Sequence, residues 1–190
     1  MGRITITEQI AAPLEAVFAY VDEHTNTTRY MKDLSRWAPV GSVTHGKGAK
    51  FAVAMKAGPM TLSSVVDITT WSENNAIGWT SREGFKQNGK WTFKQKGEGT
   101  EATFDMDYEL PGGIAGRVLS RAADPIVRGN LEQSVRNLRS QVEKGVKQAA
   151  AKHRAAKPSP ERASKPAPKA AAKPAAKPAR NGPRAAAKKR

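Results

Sequence analysis

The chain has 190 residues, a formal net charge of +15 and no cysteine. Residues 146–190 carry 14 Lys or Arg against one acidic residue, whereas residues 1–145 carry 18 against 16. The lack of cysteine excludes disulfides, thiolate metal sites and a cysteine nucleophile, and the near-neutral body needs no polyanionic partner to explain its composition.

The N-terminal residues, MGRITITEQIAAP, contain no uninterrupted apolar core and therefore do not read as a signal peptide. No run in the chain approaches the roughly 18 consecutive apolar residues that indicate a transmembrane helix. We therefore expect a cytoplasmic protein without a membrane-spanning segment.

The first elements combine a strand with two short helices. RITITEQI at 3–10 alternates and is rich in Ile and Thr, which predicts a strand. The polar stretch DEHTNTTRYM predicts a second short helix. The first helix is predicted to begin near Pro13, because apolar residues recur after it at helical spacing: Leu14, Val17, Phe18 and Val21.

The middle of the chain has the residue composition of a series of β-strands. Short segments rich in β-forming residues are separated by HGKG, AGP, SENN, the Asn-Gly of QNG, and GEG, which are typical of hairpin turns. Antiparallel strands are predicted at 36–44, 49–57, 60–71, 76–83, 89–96 and 101–110.

The last two predicted strands alternate in a complementary way. In KWTFKQK the aromatic residues share one face and the lysines the other, while in ATFDMDYEL the apolar residues share one face and the acidic residues the other. Lysines and carboxylates should meet across the strands on the solvent face. This pattern predicts a sheet with one covered side.

A helical period returns after residue 113 and predicts a long helix near the C-terminus. Pro125 should open or kink it, and Gly145 could end it, although KQAAAKHRAA could extend it. A separate, earlier helical piece is suggested by Ile114, Val118 and Leu119. The long helix itself is predicted from Val127, Leu131, Val135, Leu138 and Val142.

The predicted architecture is an α+β domain over 1–145, followed by a basic, low-complexity segment over 146–190. From Lys157 onward, recurring Pro and high charge predict disorder. In the folded part, a curved antiparallel sheet of about seven strands should wrap around the long C-terminal helix, with two short helices after the first strand. A cavity is expected between them.

Four stretches carry a resemblance to a known family: IAAPLEAVFAYVD at 10–22, GTEATF at 99–104, ELPGG at 109–113 and NLEQSVRNLRSQVE at 130–143. Together with the order of elements, they resemble the START-like helix-grip superfamily, which includes polyketide cyclases/dehydrases and lipid-transfer proteins. The resemblance covers roughly residues 2–145. It implies the helix-grip fold and a cavity for an apolar or amphipathic ligand, and it implies no particular reaction.

The inward positions of the predicted sheet and helix form an apolar, aromatic lining that suits a hydrophobic ligand. Tyr108 and His24 are candidate catalytic residues, although a structural role for Tyr108 is the alternative. Nothing in the sequence brings the three histidines together, and no nucleotide motif is present, so we expect no metal and no cofactor. The predicted ligand-binding residues are Phe51, Val53, Met55, Leu62, Val66, Ile77, Trp79, Trp91, Phe93, Phe104, Met106, Tyr108, Leu131 and Val135.

The C-terminal segment is a candidate polyanion-binding region. Its lysines recur every four residues with Pro and Ala between them, so it should be an extended polycation without aromatic rings for base stacking. This Lys-, Ala- and Pro-rich composition resembles that of linker-histone tails. Nonspecific nucleic acid, an anionic membrane surface or no fixed partner all remain open, and nucleic acid would associate the protein with the nucleoid. The candidate residues are Lys165, Lys169, Lys173, Lys177, Arg180, Arg184, Lys188, Lys189 and Arg190.

Three functions follow from these features. The first is binding, transport or sensing of a hydrophobic small molecule, a lipid or polyketide-like compound, with the tail as a tether to a polyanion. The second is a cyclase or dehydratase of a polyketide-like substrate. The third is a nonspecific nucleic-acid-associated protein that uses the folded domain as a scaffold.

Overall fold

The computed structural model describes residues 2–57, 60–109 and 113–156. The described strands are Gly2–Ile10 (β1), Leu34–Pro39 (β2), Lys50–Ala57 (β3), Met60–Ser72 (β4), Ala76–Gly84 (β5), Lys86–Lys96 (β6) and Gly99–Glu109 (β7). The helices are Leu14–Asp22 (α1), Thr27–Tyr30 (α2) and Gly113–Ala156 (α3), with a 3-10 turn at His24–Asn26. All strand pairs are antiparallel, in the order β1-β7-β6-β5-β4-β3-β2.

The sheet curls around α3, with α1 and α2 following β1, so the predicted α+β helix-grip architecture is confirmed. The register between β4 and β5 is irregular at two points, with one extra residue on β5 at Arg82 and one on β4 at Thr69, and such bulges bend the strands that carry them. The core side of α3 is formed by residues at 3–4 spacing, each of which gains about 1.5–3 kcal/mol from burial. These residues are Leu131, Val135, Leu138 and Val142.

The predicted alternation of the last two strands is present in the structure. Trp91 pairs with Phe104 on the buried face, and Lys94 pairs with Glu101 on the outer face. The ammonium of Lys96 lies 2.8 Å from a carboxylate oxygen of Glu101. The outer face of β6 and β7 is therefore charged and paired, while the inner face is apolar.

The prediction of a turn at QNG is wrong, because Asn88 and Gly89 lie within β6 and pair with both neighbouring strands. The chain instead turns at Gly84, whose φ of +76° suits a glycine. Gly89 is required by packing, since a Cβ built there would lie 2.1 Å from Cζ2 of Trp79. The missing side chain lets the indole ring lie against the β6 backbone.

Two other predicted boundaries differ from the structure. The strand expected at 36–44 is Leu34–Pro39, since Pro39 cannot donate to a ladder and Gly41 has a φ of +90°. Helix α3 continues through Gly145 to Ala156, as the alanine-rich alternative allowed, and it contains Pro125. His153 therefore lies on this helix.

The predicted division of the chain at 145/146 falls inside α3, and the division into domains stays a prediction. The separate helical piece suggested near Ile114 is part of the continuous α3 backbone. The predicted disorder from Lys157 onward and the candidate polyanion-binding residues lie outside the described residues.

The fit between Gly89 and Trp79 can be tested by Gly89→Ala. The added methyl group must displace the indole, so we expect a loss of about 1–3 kcal/mol in the free energy of unfolding, measured by denaturant titration. Gly145→Ala is the matched control, because a Cβ there meets nothing within 4 Å. The control should gain about 0.5–1 kcal/mol in the exposed helix. Equal effects of the two changes would contradict this packing.

Candidate functional site

A cavity of about 60 Å³ lies between the concave face of the sheet and the two short helices. The end of α1, the 3-10 turn, α2 and strands β2 to β7 all contribute to its wall, together with the loop between β2 and β3. Its lining is mostly apolar and aromatic. The lining residues are Val21, Asp22, His24, Thr27, Tyr30, Met31, Leu34, Trp37, Thr44, His45, Gly46, Phe51, Val53, Met55, Ile68, Trp71, Ile77, Trp79, Gln87, Trp91, Phe104 and Met106.

Aromatic rings dominate the cavity, and all four tryptophans of the chain line it. Trp37 stacks on Phe51 with ring centroids 5.0 Å apart and an interplanar angle of 20°. Trp37 also meets the edge of Trp79 at 5.8 Å, and Trp79 lies 5.9 Å from Phe104. The rings form a continuous contact path from β2 to β7, so the wall offers flat, polarizable surfaces to a ligand.

A polar cluster of Asp22, His45 and Trp71 forms one part of the wall. The indole Nε1 of Trp71 donates a hydrogen bond of 2.8 Å to Oδ1 of Asp22. The Nδ1 atom of His45 lies 3.0 Å from Oδ2 of the same carboxylate, and its ring meets Trp71 edge-on at 5.0 Å. The Asp22 side chain is 15% exposed and that of His45 61% exposed, so a largely buried carboxylate here ties α1, β4 and the β2–β3 loop together.

Polar atoms deeper in the wall are few. The Nε2 atom of Gln87 donates to Oγ of Ser64 at 2.9 Å, and both residues are buried. Burial raises the pKa of the Tyr30 hydroxyl, against the opposing effect of side-chain hydrogen bonds with Thr27 and Trp91, so the phenol is neutral at physiological pH. Among the described residues, the buried Nε1 atom of Trp79 has no hydrogen-bond partner.

The predicted ligand-binding residues divide into two groups. Eight line the cavity: Phe51, Val53, Met55, Ile77, Trp79, Trp91, Phe104 and Met106. Six belong to the buried core or its margin without lining it: Leu62, Val66, Phe93, Tyr108, Leu131 and Val135.

The two candidate catalytic residues lie in different environments. His24 lines the cavity, and its ring centroid is 5.7 Å from that of Phe51. Tyr108 is buried away from the cavity wall, and its hydroxyl donates a hydrogen bond to Oδ1 of Asp124 on α3. Burial, together with the Asp124 carboxylate, raises the pKa of Tyr108. This arrangement joins β7 to α3 and gives Tyr108 a structural partner.

Several cavity residues are absent from the sequence-based prediction. His45 is one of them, and it lines the same cavity as the predicted candidate His24, although nothing in the sequence indicates their convergence. Gln87 is missed because the Asn-Gly pair that follows it predicts a turn. Trp37 and Trp71 carry a signal that could have found them, since large aromatic rings are rare in this chain and favour its interior.

Neither a metal site nor a membrane-spanning helix is found in the part of the chain that the structure describes. No group of three or more His, Cys, Asp or Glu side chains there could hold a metal ion. No described helix combines the length and apolar character needed to cross a membrane.

Solved structures share this fold at low sequence identity. TTHA0849 from Thermus thermophilus is 22% identical, with a TM-score of 0.67 over 76% of this chain and 99% of that chain. A START superfamily protein from Mycobacterium smegmatis is 16% identical, with a TM-score of 0.57 over 77% and 98%. The di-domain ARO/CYC StfQ of the steffimycin biosynthetic pathway is 18% identical, with a TM-score of 0.56 over 77% and 46%.

No curated protein matches the sequence at a significant level. Residues 1–143 match the sequence model of the family described as polyketide cyclase / dehydrase and lipid transport. The match covers about three quarters of the chain, including every strand and most of α3. The chain therefore belongs to the polyketide cyclase/dehydrase and lipid transport family.

Proposed function

We propose that this protein binds a hydrophobic small molecule in the cavity and carries or senses it. The observation that supports this function best is the cavity wall, which places all four tryptophans around an apolar space with few polar atoms. Ligand pockets combine such a lining with a small number of polar groups that fix orientation. Family membership supports the same class of ligand.

The polar atoms of the wall favour a ligand that carries a hydrogen-bond acceptor. A buried N–H group without a partner costs about 1–3 kcal/mol, and the Nε1 atom of Trp79 is such a group among the described residues. If movement of the wall opens this atom to the cavity, an acceptor such as a carbonyl oxygen would remove that cost. A flat, amphipathic molecule would combine this bond with contacts to the surrounding rings.

The size of the cavity requires movement of its wall. Sites for drug-sized ligands have volumes of roughly 300–1,000 Å³, whereas this cavity has about 60 Å³. The stacked rings of Trp37 and Phe51 occupy space beside it, and Trp37 belongs to β2, an edge strand of the sheet. Displacement of this pair would enlarge the cavity without breaking the central ladders.

The cavity can be tested by filling it with Met55→Trp. Met55 lines the cavity, so the larger ring should take the ligand's place and lower the affinity for 8-anilinonaphthalene-1-sulfonate at least tenfold, measured by fluorescence titration. Leu62→Trp is the matched control, because Leu62 pairs directly with Met55 across β3 and β4 but does not line the cavity. Equal binding of this dye by both variants would contradict a ligand site here.

Native mass spectrometry of gently purified protein should show a co-purified apolar molecule.

A cyclase or dehydratase is the second candidate function, favoured by the histidines on the cavity wall. His24 and His45 could exchange a proton with a bound ligand, and the Asp22 carboxylate, 3.0 Å from Nδ1 of His45, would orient that ring. The family description names both chemistries and lipid transport. In this function the acid–base groups would be the histidines, because Tyr108 lies away from the cavity.

Tyr108→Phe separates a structural role of this residue from a catalytic one. Loss of the hydroxyl leaves the Asp124 carboxylate without its donor, so we expect a loss of about 1–3 kcal/mol in the free energy of unfolding. The affinity for 8-anilinonaphthalene-1-sulfonate should not change. A stable variant that has lost ligand binding would show instead that Tyr108 acts in the cavity.

We also propose that the C-terminal segment tethers the ligand-binding domain to a polyanion. Residues 157–190 contain 11 Lys or Arg and one acidic residue, Glu161. Lysines at positions 165, 169, 173 and 177 are separated by Pro and Ala, so the sequence places no acidic residue between charges that could neutralise phosphates. Such attraction is nonspecific and falls steeply as salt is added.

The tether can be tested in the full chain by changing these four lysines to glutamine together. We expect weaker binding to a mixed-sequence DNA duplex, with the slope of log K against log salt reduced by up to about 3.6, or 0.9 for each phosphate that is no longer neutralised. The affinity for 8-anilinonaphthalene-1-sulfonate should stay the same. An unchanged salt dependence would remove these lysines from the interaction.

A further inference from the structure

The C-terminal end of α3 is a folded, strongly basic surface. Residues 144–156 contain four Lys or Arg and no acidic residue. Val146 is the last residue of α3 that packs against the core, and the side chains of 147–155 are exposed. At 1.5 Å per residue, the ten residues after Val146 extend α3 by about 15 Å. The basic charge therefore begins on an ordered helix before the C-terminal segment.

The four cations share one side of this helix. At 3.6 residues per turn they fall within a sector of about 160°, and Val146 lies on the opposite side. None of the four forms an ion pair with another described residue. The side of α3 that faces away from the core thus presents a cationic surface, which consists of Lys144, Lys147, Lys152 and Arg154.

The chemistry of this surface favours nucleic acid over a lipid bilayer. A helix that lies in a membrane interface has large apolar residues opposite its charges. Here the uncharged exposed positions are mainly alanines, from Ala149 to Ala151 and at Ala155, with nothing to insert into a bilayer. A helix of about 10–12 Å diameter matches the roughly 12 Å width of the major groove of duplex DNA.

We propose that the cationic surface of α3 docks on the phosphates of duplex DNA and extends the interaction of the C-terminal segment into the folded domain. This proposal rests on the tether described above and assigns it a specific partner and a fixed contact surface. The backbone of this helix is already folded before binding. Its charges can therefore contact DNA without the entropic cost of ordering the backbone on binding. The contact is to the backbone and carries no sequence preference.

The experiment uses the full chain and a fluorescein-labelled, mixed-sequence DNA duplex of about 25 base pairs, with anisotropy measured over a series of salt concentrations. The test variant is Lys147→Gln/Lys152→Gln, which retains good helix formers. The matched control is Lys90→Gln/Lys94→Gln, which removes the same charge from exposed positions on β6. Circular dichroism confirms that both variants remain folded.

We expect the α3 variant to lower the slope of log K against log salt by about 1.8, or 0.9 for each phosphate that is no longer neutralised, while the control retains the wild-type slope. Equal reductions in both variants would show general charge attraction and overturn the docking surface. A wild-type slope in the α3 variant would overturn it as well, with the C-terminal tether still standing. If the wild-type chain binds phosphatidylglycerol vesicles but no duplex, both the tether to nucleic acid and the docking surface fail.

Discussion

The structure depends on a mismatch between one long helix and a seven-stranded sheet. Helix α3 makes its most extensive sheet contacts with β1, an edge strand, and it also packs against β7, α1 and α2. A single helix is too narrow to cover the whole concave face, because helices pack about 8–10 Å from their neighbours and neighbouring strands are about 4.8 Å apart. The inner faces of β3 to β6 must therefore be covered by something else. The two short helices and a set of large aromatic rings do this, and the space that they leave is the cavity.

The rings that fill this space also determine local backbone structure. The indole of Trp79 requires a residue without a side chain at Gly89, so the position of the cavity wall and the sequence of β6 are linked. The Asp22 carboxylate accepts a hydrogen bond from the Trp71 indole N–H and lies beside His45, so it holds the end of α1 against β4 and the β2–β3 loop. The wall combines rigid packing near the central strands with a polar, partly exposed cluster at the loop. A ligand would gain access most readily where the wall is built from the edge strand and that loop.

The sequence predicts the parts of this structure that follow from local periodicity. Alternation in β6 and β7 predicts which of their side chains face inward, and 3–4 spacing predicts the buried side of α3 at Leu131, Val135, Leu138 and Val142. Contacts between distant segments have no such signal. The Asn-Gly pair at 88–89 has the local composition of a turn, but pairing with β5 and β7 places it in β6, and packing of Trp79 requires the glycine there. The approach of His45 to Asp22 likewise depends on a loop conformation with glycines of positive φ, which periodicity does not determine. More than half of the cavity wall therefore lies outside the sequence-based prediction.

Charge is distributed so that the two proposed interactions use different physical forces. On the outer face of the sheet, cations are matched by carboxylates: Arg3 pairs with Asp107, Arg82 with Asp67 and Lys96 with Glu101. Hydrogen bonds from these cations lower the pKa of all three carboxyls, so the pairs stabilise the fold above the ordinary carboxyl pKa of about 4 and lose this contribution as the pH falls below it. The sequence from Lys144 onward contains only one acidic residue, Glu161. Salt should therefore weaken attraction to a polyanion at the C-terminal end while leaving burial of an apolar ligand almost unchanged, because hydrophobic contacts are not screened by ions.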